Sequence, residues 1–125
     1  MHDPVNQIVN LIGEPTIRQM VSAFYTHVRN DDLIGPMYPP NDWEGAEQRL
    51  ADFLVYRFGG DDAYLQRRGH PRLRGRHMGF PIDAQAAQRW LQLMGRAMRE
   101  TDIAQQHQVT MKAFFTQVAT HMKNR

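Results

Sequence analysis

Tyr25, Tyr38, His77 and Trp90 are the side chains of this sequence best suited to chemistry at a small site. His77 closes the basic part of the run RRGHPRLRGRHMGFPI, residues 67–82, which holds five arginines, two histidines and no acid. Leu73 precedes His77 by four residues, so the two share a face of a short helix. Met78, Phe80 and Ile82 follow it and can wall an apolar slot. A neutral imidazole in such a slot is a natural axial ligand for haem iron. The flanking arginines would then meet the haem propionates, which need cationic partners at a pocket's edge.

Tyr25, Tyr38 and Trp90 each combine an apolar body with a hydrogen-bond donor that needs a partner when buried. Spacing alone leaves two readings open. Each donor can bond a backbone carbonyl and simply fill space, or the three can converge on one cavity and polarise a small ligand such as a diatomic.

The arginine run also suggests a helical module that binds phosphate or nucleic acid through residues 67–76. Charge distribution weakens that alternative. Fifteen Lys and Arg stand against 13 Asp and Glu, and five of the cations fall in this one window, so the rest of the chain carries an excess of acid. A nucleic-acid surface spreads its cations and interleaves them with aromatic platforms, and this run has neither feature. No nucleic-acid partner is expected.

Other metal and phosphate chemistries find little support. The chain has no cysteine, which excludes disulfides and thiolate sites and fits a reducing compartment. It has no HExxH motif and no glycine-rich phosphate loop; Gly59-Gly60 ends a helix instead of opening one. His27, His107 and His121 fall on helices and are expected to be solvated, His2 in a fraying end, and His70 in a loop. No apolar run is long enough to span a bilayer, and the first residues do not read as a secretory leader. The expectation is a cytoplasmic protein with no membrane partner.

Four amphipathic segments must position these residues. In 15–30 the stripe is Ile17, Met20, Val21, Phe24, Tyr25 and Val28, with Pro15 suited to the first turn. In 42–58 it is Ala46, Leu50, Phe53 and Leu54, with Asn41 and Glu44 as a capping pair. Asp83 is the expected cap of a third helix carrying Ala87, Trp90, Leu91, Met94 and Met98. Asp102 with Gln105 is the expected cap of a fourth, carrying Met111, Phe114, Phe115, Val118 and Met122. No run alternates as a half-buried strand would. The fold class is all-α, one domain over 1–125, with residues 1–8 as a flexible or short helical leader.

At this point the residues resemble a known family. YLQRRGHPRLRGRHMGF at 64–80, FYTHV at 24–28, MYPPNDWEGAEQRL at 37–50 and QRWLQLM at 88–94 are similar, in order and spacing, to the group II (O-type) truncated haemoglobins. The resemblance runs from Val9 to Met122. It implies a two-over-two helical sandwich of the globin B, E, G and H helices, with a mostly non-helical F segment and one haem b. It implies His77 as proximal ligand, Tyr25 and Tyr38 as distal tyrosines, and Trp90 as the group's distal tryptophan. Ala46 falls where other globins carry a distal histidine, so the polar work passes to those three. Leu50, Phe53, Leu54, Leu73, Met78, Phe80, Ile82 and Met94 would line the haem, and Arg49, Tyr64 and Arg76 would contact the propionates. Where the family has a Gly-Gly pair before its B helix, this chain has Ile12-Gly13-Glu14, and a single glycine can still make that turn.

The implied function is binding of dioxygen and related ligands (carbon monoxide, nitric oxide, peroxide) at a histidine-ligated iron. Tyr25 is expected to donate to the ligand, with Trp90 as second donor and Tyr38 orienting Tyr25. Slow release would favour peroxidase-like or nitric oxide dioxygenase-like chemistry fed by a reductase or other electron donor. The protein is expected as monomer or homodimer.

Overall fold

The computed structural model describes residues 4–60 and 82–125. Within them five α-helices form where apolar residues recur at the helical period: α1 (Ile8–Ile12), α2 (Glu14–Arg29), α3 (Trp43–Arg57), α4 (Ala84–Glu100) and α5 (Gln105–Met122). The stripe read from α2 is its buried face, since Ile17, Met20, Val21, Phe24, Tyr25 and Val28 are all in the core. Gly13 turns the chain between α1 and α2 at a φ of +88°, a conformation open to glycine, so one glycine suffices there.

Helix α2 packs on both α3 and α4, and α4 packs on α5, which gives the two-over-two sandwich of α2 and α3 against α4 and α5. Aromatic rings fill the seam between the pairs. Phe58, at the end of α3, meets Phe114 and Phe115 of α5 edge-on at centroid distances of 5.4 and 6.1 Å. Among the described residues no helix is long and apolar enough to cross a membrane. The expected F segment lies outside the described residues.

Helix ends departed from the sequence reading in two places and met it in a third. The Asn41 and Glu44 pair does not cap α3. Asp42 holds the N-cap position with no side-chain cap bond, and its carboxylate instead takes Arg49 Nη2 at 2.9 Å. Asp102 does not cap α5 either. It stands in the preceding turn at a φ of +56°, and Ala104 is the N-cap. There Gln108 Nε2 donates to the Ile103 carbonyl at 2.7 Å, which holds the turn in place of an aspartate cap. Asp83 does cap α4, its Oδ1 accepting the Ala86 N–H at 2.9 Å. Asp83→Ala should therefore lower stability by about 1 kcal/mol in a denaturant titration, with the slope unchanged.

The leader is helical where it is described. A 3-10 turn at Pro4–Gln7 runs into α1, and Val5 and Ile8 are buried. The Val9 N–H donates to the Phe58 carbonyl at 2.9 Å, tying the leader to the end of α3.

Candidate functional site

The donors singled out in the sequence come from three different elements. Tyr25 lies near the end of α2, Trp90 on α4, and Tyr38 directly after a 3-10 turn at Gly35–Met37. Local chemistry explains that turn. The Asp31 carboxylate accepts the N–H groups of Leu33 and Ile34 at 3.0 and 2.9 Å, an aspartate bonding the backbone just beyond itself. Gly35 then passes so close to the end of α2 that a Cβ there would lie 2.7 Å from the Val28 carbonyl oxygen. The Tyr38 N–H closes the turn on the Gly35 carbonyl at 3.1 Å.

This geometry brings Tyr25, Tyr38 and Trp90 into one cluster. Tyr25 is nearly sealed, 4% exposed, and meets Tyr38 edge-on at 5.6 Å between centroids. Phe24 bridges toward Trp90, at 5.1 Å from Tyr25 and 5.2 Å from Trp90. Hydrogen bonds tie Tyr38 to both neighbours. Burial pushes the Tyr38 phenol up, while hydrogen bonds from Tyr25 and Trp90 pull it part of the way back. An indole N–H can only donate, so Trp90 gives its proton to the Tyr38 oxygen. Tyr25 is pushed far above the usual phenol range by burial, the nearby Tyr38 and its own bond to Tyr38. Tyr38 thus accepts the Trp90 N–H and shares a further hydrogen bond with Tyr25.

The apolar wall is assembled beside this cluster. Ala46, Phe53, Leu54 and Met94 are buried, and Leu50 and Ile82 are half-buried. Ile82 is pinned to the chain's end by a pair of bonds with Asn124, at 3.0 and 2.9 Å. Arg49 is exposed and paired with Asp42, and its charge is felt at Tyr25. Neutral donors set against aliphatic and aromatic walls are the chemistry a ligand-binding haem face requires, so the described half fits that group. Tyr64, Leu73, Arg76, His77, Met78 and Phe80, and the arginine run with them, lie outside the described residues. Among the described residues no three His, Asp or Glu side chains gather as a metal site.

Other residues join the site without having been singled out. Trp43 stacks on Tyr38 at 5.4 Å and meets Tyr25 edge-on at 6.3 Å, while the Arg29 guanidinium sits 5.4 Å over its ring. The signal was present, because Trp43 falls three residues before Ala46 and seven before Leu50, on the same helical stripe. Asp31 and Arg89 form an ion pair that joins the Tyr38 turn to α4. His27 is not simply solvated: it is partly buried, with Nε2 at 2.6 Å from Glu100 Oε1.

Comparison with known proteins agrees with this geometry. The family model of bacterial-like globins matches residues 8–124. The chain is 32% identical to the group 2 truncated hemoglobin of Bacillus subtilis over 124 residues, 99% of this chain and 93% of that one. It is 36% identical to two-on-two hemoglobin-3 of Arabidopsis thaliana over 117 residues, 91% of this chain and 67% of that one. Among solved structures, the hemoglobin of Chloroflexus aurantiacus superposes with a TM-score of 0.86 at 36% identity, covering 91% of this chain and 93% of that one. The truncated oxygen-avid haemoglobin of Bacillus subtilis superposes with a TM-score of 0.87 at 32% identity, covering 93% and 98%. A globin binds haem and, through it, diatomic ligands such as oxygen. The helical sandwich, the donor cluster packed into one core with its apolar neighbours and these matches agree: the chain belongs to the bacterial-like globins and, within them, to the group II truncated haemoglobins.

Proposed function

We propose that this globin holds haem b with His77 as axial ligand, binds dioxygen beside the Tyr25, Tyr38 and Trp90 cluster and releases it slowly. Haem bound there supplies an iron that takes dioxygen, carbon monoxide, nitric oxide or peroxide, together with the redox chemistry open to such ligands. The chain's own part is to hold the ligand. The carrying observation is the convergence of three donors: Tyr25 and Tyr38 meet edge-on at 5.6 Å, and Trp90, which can only donate, gives its N–H to the Tyr38 oxygen, so the Tyr38 O–H is assigned to a ligand's outer atom. Tyr25 and Trp90 fix that donor, and Trp90 becomes a second one when its N–H turns from Tyr38 to the ligand. Ala46 offers only a methyl group and leaves room for this arrangement. The oxygen-avid relative of similar fold supports the slow-release reading.

Slow release suits redox turnover of the ligand, by peroxide or nitric oxide chemistry with an electron donor in the cytoplasm, better than oxygen delivery. Leu50, Phe53, Leu54 and Met94, with Leu73, Met78, Phe80 and Ile82, would wall the haem. Arg49, Tyr64 and Arg76 would meet its propionates, which would give the acid-free arginine run a carboxylate-bearing partner. Absorption spectra of the haemin-reconstituted protein test the reading, taken ferric, dithionite-reduced and carbonylated. They should be those of histidine-ligated haem, and His77→Ala should lose or alter them. A chain that takes up no haem ends the proposal, and an unchanged His77→Ala spectrum ends the ligand assignment.

A further inference from the structure

Tyr38 and Trp90 can share a hydrogen bond only if a turn and a helix that are remote in sequence stay in register. The structure provides a second tie between the same two elements. Arg89, the residue before Trp90, pairs through Nη1 with Asp31 Oδ1, and reaches Asp32 Oδ1 at 3.7 Å. The Asp31 side chain is 8% exposed, and its other oxygen holds the N–H groups of Leu33 and Ile34. Those bonds begin the 3-10 turn that ends on Tyr38. The path is closed: Arg89 to Asp31, Asp31 to the turn, the turn to Tyr38, and Tyr38 back to Trp90, the neighbour of Arg89.

We propose that Asp31 and Arg89 are positioning residues for the distal donor, their ion pair fixing the Tyr38 turn against the Trp90 helix and so setting how firmly a ligand is held. The inference rests on Tyr38 being the ligand's donor. An exposed ion pair contributes little to stability by itself. This one is different in kind, because its acid is enclosed and also organises the backbone that carries a functional hydroxyl. A displacement well under the length of a hydrogen bond is enough to spoil a donor's aim.

The test uses the haem-loaded protein. Asp31→Asn, Arg89→Gln, Tyr38→Phe and the Asp31→Asn/Tyr38→Phe double variant are compared by oxygen dissociation rate and by the C–O stretching band of the carbonmonoxy form. Hydrogen exchange of the Trp90 indole N–H, read by NMR on the same form, reports the turn-to-helix contact itself. Asp31→Asn and Arg89→Gln should each speed oxygen release about two- to 13-fold, the worth of one neutral hydrogen bond. Each should also raise the C–O frequency and quicken indole exchange. In the Tyr38→Phe background Asp31→Asn should add nothing to the rate or the band, since a positioning residue acts only through what it positions. Arg89→Gln keeps the Asp31 bonds to the backbone and serves if Asp31→Asn does not fold. Variants that lose stability while keeping rate, band and exchange overturn the proposal, as does an Asp31→Asn effect that persists without the Tyr38 hydroxyl. If Tyr38→Phe itself leaves rate and band unchanged, the distal assignment falls and the clamp falls with it.

Discussion

Tyr38→Phe should release dioxygen about 10- to 150-fold faster, the loss expected when a hydrogen bond to a charge-bearing acceptor is removed at roughly 1.5–3 kcal/mol. The measurement is stopped-flow displacement of oxygen by carbon monoxide. The substitution keeps the ring that stacks on Trp43 and meets Tyr25 edge-on, so packing changes little. It removes an oxygen hydrogen-bonded to both Tyr25 and Trp90, leaving the Tyr25 O–H and the Trp90 N–H free to find other acceptors. Both can turn toward the ligand, which limits the loss in the single variant. Adding Phe at Tyr25 and Trp90 should therefore raise the rate further. The order of the single variants decides the roles. If Tyr38 is the donor, Tyr25→Phe has the smaller effect, because it removes a support. If Tyr25 turns to the ligand when oxygen binds, as the sequence reading had it, the order reverses. Burial pushes both phenols above their ordinary range, so both remain protonated donors through neutral pH. No step in the off-rate should arise from them there.

Much of this site was legible in the sequence because its parts are local. The α2 stripe predicted the buried face on which Tyr25 sits, and Asp83 predicted the start of the helix that carries Trp90. Trp43 was equally legible by its place in the α3 stripe, yet a tryptophan at a helix start reads as surface until Tyr38 is seen stacked on it. Caps were less secure. Asn41 and Asp102 have the right side chains, but a cap needs the backbone to enter the helix at that residue. Asp42 and Ala104 hold those positions instead. The hydrogen bonding among Tyr25, Tyr38 and Trp90 was not legible, since residues on two helices and a turn become partners only in space. The Asp31–Arg89 and His27–Glu100 pairs were invisible for the same reason: each joins residues on separate elements, and no periodicity marks them.

The largest stability effect is expected far from these donors, at Gly59→Ala. Gly59 has a φ of +94°, where an L side chain is strained by about 1–2 kcal/mol. A Cβ there would also lie 2.0 Å from the Asn6 carbonyl oxygen, a backbone atom with no freedom to swing aside. The leader must then lift away, and with it the Val9 to Phe58 hydrogen bond and the burial of Val5 and Ile8. Burying each such side chain is worth about 1.5–3 kcal/mol, but the leader also regains conformational freedom, which offsets part of the loss. A net loss of about 2–4 kcal/mol should appear as a melting temperature lower by roughly 6–20 °C. Removing residues 1–7 separates the two contributions. In that background Gly59→Ala should cost only the backbone strain, because the carbonyl it strikes is gone. Oxygen release should stay close to that of the parent chain in both proteins, since none of the lost contacts reaches Tyr38. A Gly59→Ala protein that melts with its parent would mean that the leader is not held against the end of α3.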